Sequence, residues 1–526
     1  MDLLKSALVS TALGSALMTA APLNAYYTYR DLQTDTINMS VNNQDLQDFK
    51  TISKTFEEII ETVENRSIAQ PDMAQLGTEA LQYIAREMDI FVPITENMSL
   101  EDINETFSLL PQAAAMSGKS QAELRRVSIS AMDLMVNKID RHSDYMSKED
   151  YDALRENRAS KYVGVGITYR KQRSDNTENP DSGFIEILST IEDGPAHSAG
   201  LNPRDVITHI DGKSVIKMQS GGISQAIDGE KGTEVVFTIL REGVVSPFNV
   251  AVTRDEIRRH WMSSSILESN VGYIKIDSFR EGVADDVKSA VRKMYDQNPN
   301  MAGFVIDLRG NGGGLVSEAV EIVDAFLDEG EIALRQGRSG GTFGRVMAER
   351  GDIARGAPLV IITDGYSASA SELTASALQD NGRANVVGVQ SFGKGVIQRY
   401  FRLPDGGRLK LTSDYYISPS GDAIQWTGVI PDIQVEGAER PTYSRERQRA
   451  GSVQPLSTGI VDAFRTNAIC TPVENVTYDF NAAGQFMDEG KMDFDLACAY
   501  EALGNDSPYT RTVPVTPSDI SFQPAG

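Results

Sequence analysis

Histidine is scarce in this 526-residue sequence: there are four, His142, His197, His209 and His260, and none lies near a serine-rich stretch. No local motif therefore offers the usual Ser-His pairing for nucleophilic catalysis. Cysteine is scarcer, with Cys470 and Cys498 alone and no histidine beside either. That excludes a disulfide-built scaffold and a Cys/His zinc site, so no metal is expected. The two can close one loop in an oxidising compartment, which is the expectation if the chain is exported, or both can be free thiols. Basic residues are also in deficit, 50 Lys and Arg against 74 Asp and Glu, for a net charge of −24. Phosphate neutralisation needs clustered cations, so nucleic acid and anionic membranes are poor partners for this surface.

Apolar content of 40% and charged content of 24% are ordinary for a soluble protein. The length calls for two to four domains. Ser6 to Tyr29 carries no charge, follows Lys5, and contains Leu23-Asn24-Ala25, which ends in a small residue. Residues 1–25 read as a cleaved export signal, which predicts a periplasmic protein. The alternative is an uncleaved N-terminal membrane anchor, because the uncharged run is long enough to span a bilayer.

Four further regions follow. Residues 26–160 read as helical, with Phe56, Ile60 and Val63, then Leu81, Ile84 and Met88, at helical spacing. A weak repeat relates Ala80-Leu81, Ile84 and Met88-Asp89 to Ala131-Met132, Met135 and Ile139-Asp140; two unrelated amphipathic helices would give the same match. Residues 161–255 contain short β-type runs, among them Val206 to Ile210 and Val235 to Leu240, between Gly, Pro and Asp turns. In residues 256–440, buried-strand runs (Gly272 to Ile276, Phe304 to Leu308, Leu359 to Thr363, Val386 to Val389) alternate with helical ones (Ala284 to Met294, Val316 to Phe326, Ser371 to Gln379), the pattern of an α/β domain. Residues 441–526 are a polar C-terminal extension whose last part reads as extended or disordered.

Three motifs carry chemistry. Val305 to Leu308 leads into Arg309-Gly310-Asn311-Gly312-Gly313-Gly314 and then a helix. A glycine run at that junction presents backbone N–H groups to negative charge. It reads as an oxyanion hole, a phosphate cradle or a plain tight turn. Ser367-Ala368-Ser369-Ala370-Ser371-Glu372 follows the strand-like run Leu359 to Thr363, where a nucleophile would sit exposed at a strand's carboxyl end; a serine-rich helix start is the plainer reading. The third motif, Phe392-Gly393-Lys394-Gly395-Val396-Ile397-Gln398, decides between them. An ordinary lysine is neutral in only about one copy in two thousand at pH 7. A lysine base must be partly buried, and Phe392 and Val396 can supply an apolar wall. Gln398 can hold the amine, but only if the chain bends, since residues four apart on a flat strand are separated by about 13 Å.

These motifs resemble those of the carboxy-terminal processing (tail-specific) proteases, and the resemblance runs from about Asp140 to Asp432 in the family's order. Asp140-Arg141-His142-Ser143-Asp144-Tyr145 resembles the family's Asp-Pro-His-Ser-x-Tyr signature, with Arg141 in place of proline, which makes His142 structural. Tyr415 to Gly421 and Gly428 to Asp432 resemble its closing strands. The resemblance implies Ser369 as nucleophile, Lys394 as general base, Gln398 as the lysine's orienter, and an oxyanion hole from the N–H groups of Ala370 and a glycine near Gly313. It implies a multidomain α+β protein: a helical N-terminal region, a PDZ-like β-rich domain and a crotonase- or ClpP-like α/β protease core. Gly194-Pro195-Ala196, Ala199-Gly200-Leu201, Asp205-Val206-Ile207 and Ile210-Asp211-Gly212 fit the PDZ pattern, with Gly164, Val165 and Gly166 placed like its carboxylate-binding loop. Pro203-Arg204 replaces a usual Pro-Gly, and Asp228 stands where an arginine often precedes the Gly229 loop.

The expectation is an exported serine endopeptidase that takes unstructured C-terminal tails through its PDZ domain and needs no cofactor. Partners implied by the resemblance are such substrates, an activator or adaptor protein, and further copies of the chain. The rivals are a PDZ scaffold with an inactive core, an acyl-CoA hydrolase or isomerase of the crotonase-like architecture, and a nucleotide-binding oxidoreductase.

Overall fold

A computed structural model describes residues 43–158, 161–171, 183–191, 194–216, 218, 220–258, 260–338, 342–349, 351–436, 445–455, 468–472, 487–488, 491–504 and 510–514. The expected signal, residues 1–25, lies outside them, and among the described residues no helix is long and apolar enough to cross a membrane.

Helix α1 (Asn43–Arg66) places Ile52, Phe56, Ile59, Ile60 and Val63 on one buried face at spacings of three and four. It packs with α2 (Met73–Met88), α3 (Leu100–Ser108), α4 (Leu110–Met116) and α5 (Gln121–Asn137) around Phe107, whose ring stacks on Phe56 at 4.1 Å. Side-chain caps start three of these helices: Asp72, Ser99 and Ser120 accept from the amides of Gln75, Asp102 and Glu123. The apolar residues of the weak repeat meet in this core, but Asp89 is an exposed left-handed cap whereas Asp140 is buried. The same core takes in Leu403, Leu409 and Leu411, so the helical region is welded to the segment 403–411.

Short strand β1 (Asp144–Met146) and helix α6 (Lys148–Arg158) lead into β2 (Lys161–Gly164). A six-stranded sheet follows: β3 (Ile167–Lys171), β4 (Ile185–Thr190), β5 (Val206–Ile210), β7 (Glu234–Leu240) and β8 (Phe248–Thr253) in that order, with β6 (Lys213–Ser214) beside β5. Alternate residues Val235, Phe237 and Ile239 are buried against Ile223 and Ile227 of helix α8 (Ser220–Ile227), the short α7 (Pro195–Ser198) preceding it. Strand β9 (Asp255–Arg258) pairs antiparallel with β2, so the chain leaves this domain beside the point where it entered.

The core sheet runs β10 (Met262–Leu267), β11 (Val271–Ile276), β12 (Gly303–Asp307), β15 (Leu359–Thr363), β16 (Asn385–Gly388), β19 (Ile433–Val435), β20 (Ala468–Pro472) and β23 (Thr510–Pro514). From β11 to β20 it is parallel. Every residue of β12 and β15 is buried, as expected of parallel strands covered on both faces. Helices α9 (Val283–Gln297), α10 (Val316–Ala325) and α11 (Ala370–Asp380) cover one face, and α12 (Phe494–Ala502) covers the other. The Cys470–Cys498 disulfide ties α12 to β20. Two strands and a helix from the extension, which the sequence marks only as polar, thus join the core; the five-residue strands are too short to show a period. Among the described residues, a second sheet orders β1, β18 (Arg408–Ile417), β13 (Glu331–Gly337) and β14 (Thr342–Met347), with β17 (Val396–Arg402) on the free side of β18 and the short pair β21 (Met487–Asp488) and β22 (Lys491–Met492) apart from it.

Candidate active site

The serine cluster forms the turn between β15 and α11, at the carboxyl end of the central strand. The three serines do different things. Ser367 and Ser371 are fully buried, and their hydroxyls donate to Leu308 O and Asn311 O, both at 2.8 Å. Ser369 is the partly exposed one, and its backbone is held at φ 57°, ψ −112°, a region that L-residues seldom occupy. Asp364 reinforces the turn by accepting from Tyr366 N (2.9 Å), Ser367 N (3.0 Å) and, across the gap, Gly310 N (3.1 Å).

The glycine loop lies directly against this turn. A Cβ on Gly313 would stand 2.7 Å from Ala368 O, 2.9 Å from Ser369 Cβ and 3.0 Å from Ala370 N, so only glycine permits the approach. Buried Asn311 staples the loop: its Nδ2 donates to Ile276 O (2.8 Å), and its Oδ1 accepts the Gly313 amide (2.9 Å). Gly313 is thus beside Ser369, but its N–H is engaged within the loop. Ala370, the first residue of α11, brings its amide to the same place. Below the loop, buried Asp307 meets Arg309 at 2.5 Å, and Arg309 reaches Asp493 of the C-terminal extension at 2.6 Å. Burial favours a neutral Asp307, but the Arg309 charge outweighs it and holds the carboxyl below its usual range.

Lys394 arrives on the loop between β16 and β17, pressed against the turn Ile424 to Gly428, where a Cβ on Gly395 would stand 2.4 Å from Gln425 N. Burial lowers the pKa of its amine, and Lys410 on β18 and Arg141 push the same way; Glu446 and Glu372 oppose them. The sequence motif gave Glu372 no role, yet it joins the two halves of the site. Its carboxylate is wholly buried; Oε2 accepts Ser369 N and Lys394 N, both at 2.8 Å, while Oε1 accepts Ser391 Oγ (2.5 Å) and Gly393 N (2.6 Å). Burial pushes this carboxyl up, against those four donors. Its spacing from Ser369, serine then glutamate three residues on, is the helix-start signature that could have flagged it. Tyr416 makes the complementary link, its hydroxyl lying 2.8 Å from both Ser369 O and Lys394 O. Nothing in the sequence signals that contact.

Gln398 sits past a bulge between Ile397 and itself, with its amide 3.5 Å from Thr412 Oγ1. Among the described residues no hydrogen bond joins Lys394 Nζ to Gln398 or to Ser369 Oγ. Thr412 Oγ1 donates to Asp140 (3.0 Å), which also takes the hydroxyl of Ser143 (2.6 Å), so the Asp-Arg-His-Ser turn is bolted to β18 behind Gln398. In the smaller domain, Gly164 ends β2, and Val165 and Gly166 link it to β3, with their carbonyls accepting Ala196 N (2.8 Å) and Ile191 N (2.9 Å). Arg241 holds buried Asp205 through two 2.7 Å bonds, and buried Arg254 caps the end of α8 at Ile227 O (2.7 Å) beside Gly229.

Comparisons with known proteins agree with this architecture. A model of Peptidase family S41 matches residues 270–435, and one of the PDZ domain matches residues 186–241. A carboxy-terminal-processing protease of Bartonella bacilliformis is 36% identical over 312 residues, 58% of this chain and 69% of that protein. A carboxyl-terminal-processing protease of Synechocystis sp. is 30% identical over 329 residues, 61% and 74% of the two chains. The carboxy-terminal processing protease CtpA of Bacillus subtilis is 30% identical over 306 residues, and the chain spans 62% of its length. The solved structure of a photosystem II D1 C-terminal processing protease covers 75% of this chain and 93% of its own, at 22% identity and a TM-score of 0.42. Its sequence kinship to these relatives, over a sheet that carries a PDZ domain and a serine turn facing a lysine loop, makes this chain a member of peptidase family S41, among the carboxy-terminal processing serine proteases.

Proposed function

We propose that the chain is an exported, periplasmic endopeptidase that cleaves proteins with unstructured C-terminal tails through a Ser369–Lys394 dyad. The observation that carries this reading is the double link between the two loops: Glu372 binds the amides of Ser369 and Lys394, and Tyr416 meets their carbonyls. A buried carboxylate and a buried phenol spent on one junction fix the relative position of the two side chains that must react. Neutral Lys394 takes the proton of Ser369 Oγ as the oxygen attacks the scissile carbonyl. The N–H of Ala370 and an N–H of the glycine loop receive the developing oxyanion, and Gly313 serves once its amide leaves Asn311. The lysine then gives its proton to the departing amine as the C–N bond breaks, and water releases the acyl group by the reverse relay. Gln398 steadies the amine when the loop closes on a substrate. The backbone around Gly164, Val165 and Gly166 grips the tail's terminal carboxylate, and β-pairing holds the rest.

A second reading is a PDZ adaptor with an inactive core, in which the PDZ domain binds tails and Ser369 does no chemistry. Cleavage of a protein bearing an unstructured apolar tail, by the chain without residues 1–25 and by its S369A and K394A variants, separates the two. Loss in both variants with folding intact supports the dyad; activity kept in either one rejects it. An inactive parent chain that still binds the tail favours the adaptor.

A further inference from the structure

The loop that carries Lys394 is gripped from outside the family-matched residues, which end at 435. Glu446 N donates to Phe392 O at 3.2 Å, and the Arg449 guanidinium lies 5.0 Å from the centre of the Phe392 ring. On the other side of Lys394, Gly395 N donates to Gln425 Oε1 and Gln425 Nε2 donates to Val453 O, both at 2.8 Å. Tyr415 OH reaches Gln454 O at 2.6 Å, and Val453 is buried with Ile68, Val396 and Tyr415. The segment also holds the helical region, since Arg141 N donates to Gly451 O at 3.0 Å.

Its anchor is a carboxylate. The Glu446 side chain is fully buried; its Oε1 meets His142 Nε2 at 2.8 Å and accepts Ser452 Oγ at 2.9 Å, with Arg141 Nη1 3.6 Å from Oε2. Ser452 Oγ is fixed in turn by Trp426 Nε1 at 2.8 Å. Burying a carboxylate is costly unless it is paired and hydrogen-bonded, and an apolar residue would fill the same space more cheaply. The chain nevertheless keeps this charge close enough to act on Lys394, while the Glu446 amide holds Phe392 of the same loop.

We propose that residues 445–454 form a strap that positions the loop of Lys394, with Glu446 as the positioning residue and His142, on the Asp-Arg-His-Ser turn, as its clasp. The inference rests on reading Lys394 as the base. The charged groups around that amine are Lys410 on β18, Arg141 on the turn, Glu372 on α11 and Glu446 on the strap; the two carboxylates favour the ammonium, and burial, Lys410 and Arg141 disfavour it. The groups facing Glu446 are His142, Arg141 and Lys394. Neutralising Glu446 therefore removes a stabiliser of the ammonium and makes the free amine available at lower pH.

The test measures kcat and KM against pH for the parent chain, E446Q, E446A and K394A on the same tailed substrate, with thermal unfolding of each. E446Q keeps the shape, so the expected result is an unchanged KM and an acid limb of the rate profile moved down by about half a pH unit or more. E446A frees the strap as well, and its kcat falls about tenfold or more, with E446Q retaining the larger share. If E446A does not fold, E446Q alone decides. Parent rates and an unmoved limb in E446Q, beside an inactive K394A, would overturn the strap and leave the dyad standing. So would a loss equal at every pH that tracks lowered thermal stability. An active K394A would overturn the base assignment, and this inference with it.

Discussion

At the scale of single residues, the proposed Ser369–Lys394 pair is held by Glu372 and Tyr416, which bind the backbone of both. Replacing Glu372 by alanine strands four donors in a fully buried place. The expected cost is about 3 kcal/mol of stability, with kcat falling at least a hundredfold, read by chemical denaturation and by turnover. Tyr416→Phe removes one hydroxyl from two carbonyls and should cost about 1–2 kcal/mol with a smaller fall in kcat. The depressed pKa of Lys394 gives a further expectation. In the proposed mechanism Lys394 acts only when neutral, so kcat/KM is expected to rise with pH along a limb that lies below the ordinary lysine value. The same shift acts on stability: between the lowered folded value and the unfolded value near 10.4 the unfolded chain binds more protons, so this lysine's contribution improves as pH rises through that window. A rate profile whose acid limb sits at the ordinary lysine value would refute the buried-base account.

At the scale of elements, the C-terminal extension is part of the catalytic unit. Strands β20 and β23 extend the core sheet, α12 covers its second face, and Asp493 both caps α12 and pairs with Arg309 below the glycine loop. Replacing both cysteines by serine should destabilise the protein by about 3 kcal/mol, seen as a lower melting temperature that the parent chain shows only under reductant. The strand Leu359 to Thr363, the serine turn and the following helix were legible because an apolar run, a small-residue cluster and a helix start leave local marks. The partners of that turn were not. Tyr416 lies 47 positions from Ser369, and its role depends on how β18 registers against its neighbours. The Glu446 segment is charged and reads as solvated, yet the fold buries its carboxylate against the helical region. The bulge at Ile397–Gln398 likewise sets where Gln398 points, and no residue type announces it.

At the scale of the whole molecule, the proposed tail recognition and the proposed cleavage fall in separate stretches of the chain, the PDZ match at residues 186–241 and the S41 match at residues 270–435. Gly166 has φ 78°, and a Cβ there would stand 3.3 Å from Ile257 Cδ1 on β9. Gly166→Val is therefore expected to reduce kcat/KM about tenfold or more for tailed proteins while leaving short generic peptides within about twofold. Equal losses on both would mean that this domain does not select the substrate. The paired strands β2 and β9 carry one consequence beyond catalysis. Because residues 161–164 lie alongside residues 255–258, everything between them is a single excursion that returns to its point of departure. Such a segment can be lengthened, shortened or exchanged for another peptide-binding body without re-threading the sheet that does the cutting. The ribbon is in effect a socket, and a core joined across it by a two-residue turn should still fold around Ser369, a protease with its chemistry retained and its choice of substrate removed.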